Sequence, residues 1–245
     1  MQTPPLVKLG ATTSTNDFLK ELSQNPATEN FTVVTAESQS AGRGQMGTTW
    51  MSEEGKNLMF SVLVKDFASD ASQLFTLNVA VALAVCEVVE KHDIESVSIK
   101  WPNDIMSADK KIGGILIENS FKPNGEIVSV VGIGLNVNQQ DFSALPKAAS
   151  LHTVSGRTFN RDELREGIVE RIIRNVHFIA EHADVLWKAY HEKLFKVGVP
   201  AAFERADGHR FMGMIKSVTR DGKLELQLED DSRKLFNIKE IQLLY

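Results

Sequence analysis

The sequence predicts a mixed domain of helices and strands over residues 1–195, followed by a small β-barrel over residues 196–245. Three observations predict it. Residues 74–89 are apolar almost all round, as in a helix buried deep in a core. Strands carrying glycines at paired or alternating positions follow at 112–118 and 127–137. Beyond Phe195 come short alternating segments separated by Asp207-Gly208, Asp221-Gly222 and Asp230-Asp231. Asp-Gly in such a setting signals a tight hairpin, because glycine supplies the positive φ the turn needs.

Taken in order, Ser14-Thr15-Asn16-Asp17 reads as a cap ahead of a short helix bearing Phe18, Leu19 and Leu22. Strands are expected over 31–36 and 57–64, with a glycine-rich stretch from Gly42 to Gly47 between them. Asp70 caps the long apolar helix, which ends near His92. A short strand over 97–100 is stopped by Pro102. The strands at 112–118 and 127–137 are joined by a turn at Pro123-Asn124-Gly125. From Asn160 an amphipathic helix places Leu164, Ile168, Ile172, Val176 and Ile179 on one stripe, with Arg161, Glu163, Glu170, Arg171 and Arg174 opposite. A break near Ala183-Asp184 separates it from a second helix through Leu194.

The 245 residues hold 27 Lys+Arg against 32 Asp+Glu, a net charge of −5, with 42% hydrophobic and 24% charged residues. That is the composition of a folded globular chain. The acidic balance disfavours a broad nucleic-acid surface, while a local basic pocket needs only two or three cations. The single cysteine, Cys86, lies in an apolar run and reads as a buried, inert thiol. No signal peptide and no membrane-length apolar segment stands out, so a cytoplasmic location is expected.

Four stretches carry candidate chemistry. Gly42-Arg43-Gly44-Gln45-Met46-Gly47 matches G-x-G-x-x-G, but no helix follows it as a dinucleotide fold requires, and the kinase and P-loop companions are missing. It reads either as a plain surface loop or as an anion-binding loop in which Arg43 offers bidentate donors. Lys100-Trp101-Pro102-Asn103-Asp104 ends a buried strand, with Trp101 favoured as a core anchor. Lys111-Ile112-Gly113-Gly114 puts a cation beside bare backbone, which suits close approach of a ligand or a bulge. In Gly132-Ile133-Gly134-Leu135-Asn136-Val137-Asn138 one face is bare and polar, suited to a flat ligand or to a closely packed helix. The histidines form no metal motif, and no G-x-S-x-G elbow exists.

In order and spacing these stretches, with Ser14-Thr15-Asn16 and the run from Gln39 to Trp50, resemble the biotin protein ligase family, most specifically in K-W-P-N-D and K-x-G-G-I-L-x-E. The resemblance spans about the first 190 residues. It implies an α+β catalytic domain related to class II aminoacyl-tRNA synthetases, followed by an SH3-like barrel. It implies activation of biotin by ATP, with Mg²⁺, to biotinyl-AMP, and transfer to a lysine of a biotin carboxyl carrier domain. By position, Ser14, Thr15, Asn16 and Gln39 line the biotin site. Gly42, Arg43, Gly44 and Gln45 belong to a loop that closes over biotin and the adenylate. Lys111, beside Gly114, meets the biotin carboxylate and α-phosphate, and Trp50 and Asn136 neighbour the adenine. Asp104 is a candidate for orienting the acceptor lysine.

The sequence departs from the best-known members at Gln45 and Met46, where they often carry basic residues, so looser retention of the adenylate is expected. Only about a dozen residues precede Ser14-Thr15-Asn16, which argues for a ligase without the winged-helix DNA-binding domain of dual-function members. Homodimers occur in the family, so a dimer is allowed. The rival readings are a lipoate–protein ligase or octanoyl transferase of the same fold, which lacks the K-W-P-N-D and K-x-G-G-I-L-x-E pair, and a catalytically silent ligand-binding adaptor.

Overall fold

The computed structural model describes residues 3–65, 67, 73–123 and 125–245; Asp70, Asn124 and the Met46 side chain lie outside them, and with them the expected helix cap and part of the expected turn. The first sheet has seven strands: β1 (Leu6–Thr12), β2 (Val33–Gln39), β3 (Leu58–Lys65), β4 (Val97–Lys100), β5 (Asp104–Ser107), β6 (Lys110–Phe121) and β7 (Ile127–Leu135), in spatial order β1-β2-β3-β7-β6-β5-β4. Among the described residues β1 and β2 pair in parallel, and the other pairings between these named strands are antiparallel. A mainly antiparallel sheet with helices packed on it makes this an α+β arrangement.

Helices α1 (Thr15–Leu22), α2 (Leu74–Lys91), α3 (Leu151–Ser155) and α4 (Arg161–Glu192) complete the first part of the chain. Ser14 caps α1, its side chain accepting the Asp17 amide. α2 is apolar on every side because it lies between the sheet and α4, with Leu77, Val79, Ala80, Val81, Ala82 and Ala84 all fully buried. Two polar ties lock α4 onto it: Asn175 Nδ2 donates to the Ala80 carbonyl at 2.9 Å, and Trp187 Nε1 donates to Thr76 Oγ1 at 3.2 Å. The expected break falls at His182, whose φ −136° and ψ 31° leave helical geometry, so α4 is two helical stretches joined across a kink.

Side-chain alternation sorts the sheet's two faces. Phe60, Val62 and Val64 of β3, with Val131, Ile133 and Leu135 of β7, point into the main core that includes α2 and α4. Leu63 of β3, with Val128 and Val130 of β7, points the other way and packs against Leu19 of α1. Continuing along that second stripe of β7 come Gly132 and Gly134. The site forms where α1's support changes from valine to glycine.

The remaining strands are β8 (Pro200–Arg205), β9 (Arg210–Val218), β10 (Leu224–Leu228), β11 (Arg233–Phe236) and β12 (Ile241–Leu244), ordered β11-β10-β9-β8-β12. The expected closed, SH3-like barrel is therefore not what the pairing shows. β11 and β12, four residues each, are the two edges of an open sheet and do not pair with one another among the described residues. The sheet's apolar face is covered by the earlier part of the chain. Phe203, Ile215, Leu224 and Leu226 join the same core cluster as α2 and α4, and Trp101 Nε1 donates to the Gly222 carbonyl at 2.9 Å. No helix among the described residues is long and apolar enough to cross a membrane.

Cys86 is fully buried in α2, and that burial pushes its thiol up to about 12. Thiolate is the reactive form. Iodoacetamide at neutral pH should leave Cys86 unmodified in the native chain and alkylate it only after guanidinium unfolding, as read by intact mass.

Candidate active site

The glycines of β7 let two side chains reach the sheet. A Cβ on Gly132 would overlap Asn16 Oδ1, and one on Gly134 would lie 2.5 Å from Trp50 Cε2. Both positions require glycine for lack of space. Beside them runs a cavity of about 380 Å³, within the range of small-ligand sites. Its floor includes Gly114, Leu116, Gly132 and Gly134, and its walls come from the cap of α1, the glycine loop, the β4–β5 hairpin and the C-terminal sheet.

At one end, a hydrogen-bonded network fixes the α1 cap. Ser61 Oγ, fully buried on β3, lies 2.6 Å from Asn16 Oδ1 and 2.8 Å from Thr15 Oγ1. Asn16 Nδ2 donates to Glu118 Oε2 at 2.8 Å and to the Leu116 carbonyl, while Thr15 N donates to Gln39 Oε1 at 2.7 Å. These bonds dictate which way the amides face. Arg43 lies at this same end, donating to Asp17 Oδ1 at 2.6 Å and to Glu118 Oε2 at 3.0 Å.

The other end is built on the β4–β5 hairpin, and each residue of Lys100-Trp101-Pro102-Asn103-Asp104 has a partner. The Pro102 carbonyl accepts from Asn78 Nδ2 at 2.9 Å, and Asn103 Nδ2 donates to the Ile115 carbonyl at 2.6 Å. Lys100 and Asp104 face each other across the strands, and the Trp101–Pro102 peptide between them is cis. Asp104 accepts from Lys111 Nζ at 2.6 Å on Oδ1 and from Lys100 Nζ at 3.1 Å on Oδ2. Lys111 Nζ also stands 5.8 Å from the centre of the Trp50 ring. The indole Nε1 of Trp50 is buried with no hydrogen-bond partner among the described residues, a donor that an entering ligand can satisfy.

The cavity thus gathers Ser14, Thr15, Asn16, Gln39, Arg43, Gly44, Gln45, Trp50, Asp104, Lys111 and Gly114 from the residues singled out in the sequence. Gly42 and Asn136 are not on its wall. Gly42 is buried behind it, its carbonyl accepting the Trp50 amide at 2.9 Å. Asn136 turns its side chain to the Ala149 carbonyl, at 3.0 Å, bracing the segment before α3. Arg43 and Lys111 share the cavity without meeting. Their carboxylate partners include Glu118 and Asp104, and Glu118 lies seven residues beyond Lys111 on β6, on the order of 20 Å at the rise of a strand.

Sequence reasoning missed Ser61, although a lone hydroxyl in the apolar run 58–64 was a signal. It also missed Ile238, Lys239 and Gln242, which the C-terminal sheet brings to the wall. Among the lining residues Arg43, Lys100, Lys111 and Lys239 outnumber the one carboxylate, Asp104, so the cavity is basic within an acidic chain. No group of three or more His, Cys, Asp or Glu side chains that could hold a metal occurs among the described residues.

A sequence model of the biotin/lipoate A/B protein ligase family matches residues 9–138. The chain belongs to this family. Among its relatives, the bifunctional ligase/repressor BirA of Bacillus subtilis (strain 168) is 30% identical over 239 residues, covering 91% of this chain and 70% of BirA. The biotin–[acetyl-CoA-carboxylase] ligase of Mycobacterium tuberculosis is 26% identical, covering 89% of this chain and 81% of its own length. The solved biotin protein ligase of Aquifex aeolicus, in complex with biotin and ATP, superposes with a TM-score of 0.80 at 25% identity over 98% of both chains. The family thus places the cavity in a fold that holds those two ligands in a relative.

Replacing Gly134 by Ala should push the Trp50 ring off β7. In a chain carrying fluorotryptophan, one of the three ¹⁹F resonances should move while Trp101 and Trp187 hold theirs. Overpacking of this kind should also lower stability by about 1–3 kcal/mol, measurable by urea unfolding.

Proposed function

We infer that this protein is a biotin protein ligase: it joins biotin to AMP from ATP, releasing pyrophosphate, and passes the biotinyl group to a lysine of a biotin carboxyl carrier domain. The observation that carries this reading is the cation-walled cavity over the bare β6–β7 backbone, in a chain of this family and fold.

In the first step a biotin carboxylate oxygen attacks the α-phosphorus and the bond to pyrophosphate breaks. Two anions must be brought together, so positioning and charge neutralisation dominate and no protein nucleophile is needed. We assign Ser14, Thr15, Asn16 and Gln39 to the ureido end, because their mutual hydrogen bonds fix donors and acceptors there. Lys111 is assigned to the acyl-phosphate junction and Trp50, through its unpaired Nε1, to the adenylate. Arg43 reaches a ligand only by leaving Asp17 and Glu118. Its role therefore belongs to a rearranged loop of Gly42, Gly44 and Gln45 closing over the bound molecule and excluding water. Magnesium would arrive with the triphosphate and be held by phosphate oxygens and water, since the described side chains form no cage for it.

In the second step the neutral carrier amine attacks the acyl carbon, AMP leaves, and the amine's proton is lost. Asp104 is our candidate for orienting that amine. We also propose that residues 1–195 carry the chemistry, while 196–245 complete the wall through Ile238, Lys239 and Gln242. The relatives' names favour biotin over lipoate, and four cations in the wall fit an anionic reaction better than a silent adaptor.

Incubation with ATP, biotin and a carrier domain should label the carrier on a streptavidin blot, and lipoate in place of biotin should give no acyl transfer. Lys111→Ala should cut labelling by about a hundredfold or more; undiminished labelling would remove Lys111 from the mechanism. Gln45→Arg adds a charge to the loop and should lengthen the dissociation half-life of biotinyl-AMP in a filter-binding chase.

A further inference from the structure

We propose that Lys100 is a positioning residue for adenylate formation: as the second counter-ion of Asp104, it frees Lys111 to neutralise the incoming anion. The inference rests on the assignment of Lys111 to the acyl-phosphate junction.

Lys111 does not wait in the cavity as a free cation. Its ammonium is bonded to Asp104 Oδ1 at 2.6 Å, and the Asp104 side chain is only 14% exposed. A carboxylate with so little water around it resists losing its cation, because the attraction at that distance is poorly screened and an unpaired charge there is costly. An anion that draws Lys111 away must therefore overcome Asp104, unless another cation stays behind. Lys100 occupies that place. Its Nζ sits 3.1 Å from the other oxygen, Oδ2, and its side chain is 18% exposed against 34% for Lys111. The less accessible lysine remains with the carboxylate, and the more accessible one is able to leave.

The surroundings of Lys100 hold it to this task. The β4–β5 register sets it directly opposite Asp104. On its other side lies the ring of Tyr245, 5.4 Å from Nζ, which also receives Lys147 at 4.5 Å and packs edge-on against Phe195 at 5.3 Å. A lysine between a carboxylate and an aromatic face gains from both. Burial first, and then the charges of Asp104 and Asp109, push the Tyr245 phenol above its ordinary value. Lys100, Asp104 and Lys111 together carry one net positive charge, which an arriving anion meets as attraction. Without Lys100 the remaining pair is neutral and closed on itself.

The test uses the full chain and the first half-reaction alone, with hydroxylamine as acyl acceptor so that the orientation of a carrier lysine is not read. Lys100→Met should slow biotin-dependent pyrophosphate release by about tenfold, with the KM for biotin held within about twofold. Lys100→Arg should restore most of the rate. Lys100→Met combined with Asp104→Asn should also recover, because Lys111 is then no longer held by a charge. That recovery sets positioning apart from a structural defect, which a second substitution would not repair. Lys100→Gln serves in place of Lys100→Met should thermal melting show the latter unfolded. A Lys100→Met rate equal to wild type, or a double variant no faster than Lys100→Met, would overturn the proposal. Absence of biotin-dependent pyrophosphate release from the wild-type chain would instead sink the ligase reading itself.

Discussion

The structure depends on how closely side chains approach one stripe of β7. Val128 and Val130 hold α1 off the sheet at the packing distance of a core, and Gly132 and Gly134 then remove that support. Asn16 and Trp50 descend onto bare backbone, the space beside them becomes the cavity, and the α1 cap, the loop and the hairpin converge on it. A valine at Gly132 would leave no room for the Asn16 side chain, and one at Gly134 none for the Trp50 ring. Sheet and site are consecutive stretches of the same strand, divided by the loss of a side chain.

Much of this was legible in the sequence. The glycine alternation in 132–138 announced a bare face, and of the two readings weighed for it the close packing of a helix is seen at Gly132, where Asn16 of α1 approaches, while Trp50 of the loop approaches Gly134. The all-apolar helix, the break near 183 and the Asp-Gly hairpins each corresponded to an element because their signals are local. What escaped depended on partners distant in sequence. β1, interrupted by Gly10, is a strand because β2 pairs with it. β5 follows a proline that reads as a stop but turns the chain into a hairpin. The barrel was expected from the hairpins and the family resemblance together; hairpins count strands without saying whether the last returns to the first, and among the described residues the pairing does not close. Asn136, which the family resemblance put beside the adenine, follows the end of β7 at Leu135 and donates its amide to the Ala149 carbonyl, a tie that the sequence pattern did not announce.

The charges follow a similar logic. An acidic chain keeps a basic cavity by gathering Arg43, Lys100, Lys111 and Lys239 from four separate segments, then holds Arg43 and Lys111 on carboxylates at opposite ends. The Arg43 pairs, the more exposed of these, contribute little to stability, whereas the shielded Asp104 holds its lysines more firmly. The effect of these pairs is to keep like charges apart while no anion is present.

The core that passes without interruption from α2 and α4 into the C-terminal sheet has a consequence for the chain's life in a crowded cell. Phe195, Phe203 and Leu224 line a seam that also includes Trp101, so a break in the chain near residue 196 would not release two tidy pieces. Each half would carry a greasy scar of the kind that invites aggregation or degradation. Quality control would thus see a nicked molecule as damaged goods rather than as a smaller working enzyme.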